Sequence, residues 1–188
     1  MNFELHTPES APDAVKPDLE AAQKAYGTVP NLYRGMAGSP AALKSYLFIS
    51  EALTNHGRLS PVEQQVVYLT VSAENGCTYC VGAHSTLAEM VGMPEPVLAR
   101  LRDQRAPDDA RLAALRKFTL SVMAHRGWVP PQDLDAFQSA GYDQAHVLEV
   151  LTILAQKTLS NYYNHLAQTP LDSLFEKHAW RPAGQPAT

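Results

Sequence analysis

Apolar positions recur along this chain with helical rather than strand spacing, and the breaks between the runs fall at prolines and glycines. Ser60-Pro61-Val62-Glu63 has the form of a capping box with proline in the first turn, and the apolar run VVYLTV follows it. The helix that starts there is expected to end near Asn75-Gly76, a pair that tolerates left-handed C-cap geometry. A fresh helix is expected from about Cys77 to Val91, stopped by Gly92. Ser39-Pro40 marks another start, for a helix reaching Asn55 before Gly57. Further helices are expected over Asp18 to Tyr26, Pro94 to Arg102, Asp109 to His125 and Pro131 to Ala140. Asp143 is placed to cap a long final helix whose apolar positions Val147, Leu148, Leu151, Leu154 and Leu159 have roughly helical spacing. TVPNLYRGMAGS, with Pro30 and Gly35, is expected to be an irregular loop. No segment alternates with period two, so the pattern predicts an all-α fold of about eight helices.

The first 17 residues are proline-rich and are expected to form an arm with little structure of their own, leaving residues 18–188 as a single domain. A weak internal echo suggests two pseudo-repeated halves. Leu69-Thr70-Val71-Ser72-Ala73 precedes Cys80-x-x-x-His84, and Leu151-Thr152-Ile153-Leu154-Ala155 precedes Asn161-x-x-x-His165.

The 188 residues suffice to bury a core without disulfide staples. With 45% hydrophobic and 18% charged residues and a net charge of −4, the chain has neither a polybasic segment for nucleic acid nor an apolar run able to span a bilayer. The N-terminus lacks the basic start and apolar middle of a signal peptide, so a cytoplasmic location is expected. In that reducing compartment a pair of cysteines is redox-active, catalytic or metal-binding rather than a structural staple.

That pair lies in ENGCTYCVGAHS, where Cys77, Cys80 and His84 stand at i, i+3 and i+7 and share one helix face. The positive end of a helix dipole favours thiolate there, and an imidazole nearby offers a base or a counter-charge. Thiolate, neighbouring thiol and base are what a thiol peroxidase or disulfide reductase needs. A zinc site would want a fourth ligand, such as His56 or His165, and no second cysteine pair exists. Burial as two small hydrophobes is the remaining reading. The dipole favours Cys77 as the more acidic thiol, whereas the i,i+4 relation to His84 favours Cys80. On the last helix Asn161, Tyr162 and His165 form a polar cluster that either faces the cysteines or serves as a hydrogen-bonded core or subunit contact. Tyr79, between the cysteines, either gates the site or packs, and Trp128 and Trp180 read as packing residues.

GCTYCVGAH, preceded by LSPVEQQVVYLTVSAEN, resembles the motif helices of the alkylhydroperoxidase AhpD-like branch of the carboxymuconolactone decarboxylase family. The likeness extends upstream to YGTVPNLYRGMAGSP and downstream to SNYYNHLA. It implies an AhpD-like helical fold, interlocked homo-oligomers (a trimer or hexamer, with a dimer as the alternative), and reduction of alkyl hydroperoxides through the cysteine pair. By motif position Cys80 is the peroxidatic thiol, Cys77 its resolving partner, and His84 part of the proton relay. The family's glutamate falls on Gln65, which cannot act as a carboxylate base. A rearranged relay through Gln65 would draw on Glu63, which lies two residues earlier on another helix face and is also the third residue of the capping box, or on Glu74, which adjoins the motif.

The function implied is a thiol-dependent peroxidase with neither metal nor cofactor, regenerated by an external dithiol that in this family can be a lipoyl-bearing protein. Two other readings stand beside it. One is a decarboxylase or lactone-processing enzyme using Arg34, Arg58 or His165; the other is a non-catalytic redox sensor.

Overall fold

A computed structural model describes residues 3–182, in which helices follow one another with no strand among the described residues. They are α1 (Lys16–Tyr26), α2 (Asn31–Met36), α3 (Pro40–His56), α4 (Pro61–Glu74), α5 (Thr78–Met90), α6 (Glu95–Arg102), α7 (Ala110–His125), α8 (Pro131–Ser139) and α9 (Gln144–Ala167). Two 3-10 segments, Asp13–Val15 and Ser173–His178, flank them. The all-α expectation holds.

The core is organised around α4. Every residue from Gln65 to Ala73 is buried, which requires neighbours on all sides, and α5, α6, α7 and α9 supply them. The capping box is present: Ser60 accepts from the Glu63 amide at 3.3 Å, and Glu63 accepts from the Ser60 amide at 2.9 Å. The other end of α4 sets up the cysteines. Gly76 takes φ +67, its amide bonds Ala73 O, and the Cys77 amide bonds Ser72 O at 2.9 Å. This is a Schellman closure, which only a residue tolerant of left-handed backbone makes without strain. Cys77 thereby ends one helix motif and serves as the N-cap of α5, so Cys80 stands in that helix's first turn.

Three expectations change in three dimensions. The segment predicted as a loop after Gly27 contains α2, a short helix that begins after Pro30 and buries Leu32 and Met36. Gly35 is needed inside it because an added Cβ would collide with the Tyr163 hydroxyl, so close packing against α9 outweighs the irregular signals of Pro30 and Gly35. The N-terminal segment is attached rather than free: Val15 is fully buried, α1 begins at Lys16, and the His6 amide bonds Arg34 O. The third concerns α9. Leu148, Leu151 and Leu159 point to solvent, while Gln156, Lys157, Ser160, Asn161 and Asn164 are buried. Its unbroken run also differs from the α4–turn–α5 arrangement that its sequence echoes. Trp180 packs and donates to Arg102 O at 2.8 Å, but Trp128 is exposed.

Candidate active site

Cys77 and Cys80 are both reduced and buried, in the apolar cluster formed with α1, α2 and α3. Facing them is the inward polar face of α9, whose buried residues recur at 156, 157, 160, 161 and 164. Those positions share one helix face, and among them the sequence pattern singles out only Asn161.

Lys157 is the residue that the motif did not indicate. Its side chain is fully buried, its Nζ lies 2.9 Å from His84 Nε2, and it pairs with no carboxylate among the described residues. A buried ammonium needs a compensating anion. Cys80 provides it. Burial alone would push that thiol up, but the Cys77 thiol, the Lys157 charge and the Asn164 amide together hold it below the ordinary cysteine range. Asn164 Nδ2 donates to Cys80 Sγ at 3.2 Å and lies 3.9 Å from Cys77 Sγ. Asn161 donates no hydrogen bond from Nδ2 to a protein acceptor; it adds a longer-range dipole, and its Oδ1 accepts from Asn75 at 2.9 Å. Cys77 moves the opposite way, pushed up by the hydrogen bond to Cys80 and then by burial and the Cys80 charge. The pair is therefore one thiolate at Cys80 and one thiol at Cys77, the reverse of what the dipole alone favours.

His84 is held on three sides. Its Nδ1 lies 2.9 Å from Gln65 Oε1, its Nε2 faces Lys157, and its ring stacks on Tyr68 with centroids 4.4 Å apart. Because an amide oxygen only accepts and an ammonium only donates, the proton of the neutral ring is on Nδ1. Burial, followed by the Lys157 charge, keeps the imidazole well below its ordinary range and hence neutral. Gln65 thus has a place in the site: it fixes the tautomer that presents a lone pair to Lys157. His84 makes no direct hydrogen bond to Cys80; it holds Lys157, whose charge acts on Cys80.

Glu63 is not brought to His84. Its carboxylate is taken by the Ser60 amide, by Arg111 Nε at 3.0 Å and by the Tyr142 hydroxyl at 2.9 Å. Glu74 is exposed. Tyr79 donates to Asp172 Oδ2 at 2.6 Å and accepts from the Leu32 amide at 3.2 Å, which ties α5 to α2 and the C-terminal segment. Of the polar cluster on α9, Asn161 is buried beside the site, whereas Tyr162 and His165 are exposed.

A cavity of about 60 Å³ opens onto Cys80, His84 and Lys157. At roughly 10–15 Å³ per water by the same measure, it holds a few waters or one small reacting head group. Its walls are mostly apolar, including Tyr33, Tyr46, Leu87, Met90 and Phe175. No group of three or more histidine, cysteine, aspartate or glutamate residues suited to a metal occurs among the described residues. Nor is any described helix long and apolar enough to cross a membrane.

Residues 40–120 match the model of the carboxymuconolactone decarboxylase family. The chain is similar to the alkylhydroperoxidase AhpD core of an uncharacterized peroxidase-related protein from Ralstonia eutropha JMP134, at 22% identity and TM-score 0.84 over 96% of this chain and 97% of that one. It is also similar to an uncharacterized peroxidase-related protein from Silicibacter sp. TM1040, at 20% identity and TM-score 0.79 over 93% and 92%. The debrominase Bmp8, in complex with 2,3,4-tribromopyrrole, matches at 14% identity and TM-score 0.74 over 95% of each chain. No curated protein matches the chain. The chain thus has the AhpD-like helical fold, and its residues 40–120 resemble the carboxymuconolactone decarboxylase family core.

Proposed function

We propose that this protein is a two-cysteine oxidoreductase that reduces organic hydroperoxides at Cys80. The observation that carries this reading is the buried Lys157, set among Cys80, Cys77 and His84 beside an apolar-walled cavity. The Cys80 thiolate attacks the terminal peroxide oxygen, the O–O bond breaks, and Cys80 becomes a sulfenic acid. Lys157 gives a proton to the departing alkoxide, with His84 holding the amine in place. The amine then takes the Cys77 proton; Cys77 attacks Cys80 Sγ, and hydroxide leaves with that proton as water. The products are one alcohol, one water and a Cys77–Cys80 disulfide, with Lys157 left as the amine. A dithiol reductant then supplies two electrons and two protons, one for Cys77 and one for Lys157, and restores the starting state.

The apolar walls favour an alkyl or aryl hydroperoxide over hydrogen peroxide. A homo-oligomer belongs to the same proposal, supported by exposed Leu148, Leu151, Leu159, Tyr162 and Leu166 along α9. A cytoplasmic location belongs to the same proposal, and a lipoyl-bearing reductant is proposed on the family resemblance alone.

Peroxide consumption with dihydrolipoamide as donor tests this. Cys80→Ser is expected to abolish turnover, while Cys77→Ser retains one oxidation event that a sulfenic-acid probe traps on Cys80. Equal turnover in both variants and in wild type would overturn the proposal. A second reading, reductive dehalogenation of a halogenated aromatic, is favoured by the aromatic cavity wall and the likeness to the debrominase. Incubation with 2,3,4-tribromopyrrole in place of peroxide separates the two.

A further inference from the structure

The two cysteines border different cavities. The cavity over Cys80 does not include Cys77, and a separate, more polar cleft of about 400 Å³ includes Cys77 but not Cys80. Their linings share only Tyr79. Asn164 and Thr169 border the cleft, and both carry a buried oxygen with no hydrogen-bond partner, Asn164 Oδ1 and Thr169 Oγ1. Asn164 is only 5% exposed, so an unmatched acceptor there is costly unless a ligand uses it.

We propose that this cleft is the entry site of the reducing dithiol, and that the incoming thiol attacks Cys77 Sγ. The inference rests on the two-cysteine chemistry proposed above and adds its direction. His165, exposed on the cleft's edge, accepts the incoming thiol's proton. The new bond joins the reductant sulfur to Cys77, the Cys77–Cys80 bond breaks, and the electron pair leaves on Cys80. Asn164 serves both ends, with Oδ1 free to orient the incoming sulfur group and Nδ2 already on the departing Cys80 Sγ. The second thiol of the reductant then displaces Cys77, closing the reductant's own disulfide and returning a proton to Cys77. The more acidic thiol is the better leaving group, which agrees with expulsion of Cys80. The separate openings let peroxide and reductant enter without competing for one space.

To test the direction, the disulfide is set with diamide, so the measurement does not depend on peroxide turnover. A monothiol, 2-mercaptoethanol, is added briefly and quenched with N-ethylmaleimide, and the adducts are mapped by mass spectrometry. The expected product carries mercaptoethanol on Cys77 and maleimide on Cys80; the opposite labelling overturns the proposal. In a second arm Gln168→Trp, at an exposed cleft-lining position outside the proton transfer, fills the cleft. Reduction of the diamide-formed disulfide by dihydrolipoamide is expected to slow at least tenfold, while the single-turnover reaction of reduced protein with cumene hydroperoxide keeps its rate. An unchanged reduction rate, or equal slowing of both half-reactions, overturns it. If wild type forms and reopens the disulfide with the expected labelling but consumes no peroxide, the functional reading fails and the cleft assignment stands.

Discussion

Replacing Lys157 with methionine keeps a long, flexible side chain in the core and removes its charge. In the native site that charge, with the Cys77 thiol and the Asn164 amide, overcomes the burial that would otherwise protonate Cys80. Without it Cys80 shifts up toward the ordinary cysteine value of about 8.5, at which only about 3% is thiolate at pH 7. Alkylation and peroxide attack at that pH then fall, by up to ~30-fold if Cys80 reaches that value, because the thiolate is the nucleophile. The fold should survive, since Cys80 takes up a proton and leaves no orphaned charge. The chief structural loss is the donor to His84 Nε2, worth about 1–3 kcal/mol. The assay is the pH dependence of iodoacetamide alkylation of Cys80 in a Cys77→Ser background. With Lys157 present the rate should already be high at neutral pH. With Lys157→Met the rise should move to higher pH, toward about 8.5. Coincident profiles in a folded variant would refute the role given to Lys157.

Three further outcomes follow from the same geometry. Gln65→Leu strips the acceptor from buried His84 Nδ1, costing about 1–3 kcal/mol in denaturant unfolding and lowering turnover; Gln65→Glu keeps an acceptor there and should be milder. Glu63→Gln should lower stability by about 1 kcal/mol through the weakened cap and the Arg111 and Tyr142 contacts, yet leave the peroxide rate per folded molecule unchanged. Burial raises the Glu63 carboxyl, but Ser60, Tyr142 and Arg111 outweigh it and hold the value below the ordinary one. Its stabilisation is therefore complete above the unfolded value of about 4.3 and lost as pH falls through the lower folded value, so Glu63→Gln should show a flatter acid limb in thermal melts. Leu151→Lys combined with Leu159→Lys places two charges on the apolar outer face of α9 and should shift an oligomer toward monomer in sedimentation velocity, with turnover read alongside.

By itself the sequence determined what depends on neighbours along the chain. Ser60-Pro61-Val62-Glu63 folds as a capping box, and Asn75-Gly76 closes α4 and delivers Cys77 to the head of α5. Cys77, Cys80 and His84 then share a helix face because a 3.6-residue period leaves no other option. Glu63 could be read as a capping residue for the same local reason, and Gln65 marked the missing carboxylate. What opposes the thiols was decided only in three dimensions. Hydrophobic periodicity points α9 inward by its leucines, yet the helix turns Gln156, Lys157, Asn161 and Asn164 to the core and Leu148, Leu151 and Leu159 to the outside. That orientation contradicts the average rule because each buried polar group has a specific partner: Tyr68 for Gln156, His84 for Lys157, Asn75 for Asn161 and Cys80 for Asn164. Such pairings join residues 73 to 88 positions apart, and no local period encodes them. The choice of Cys80 as the thiolate rests on that same folding event, since Lys157 and Asn164 reach it only after α9 packs across α5.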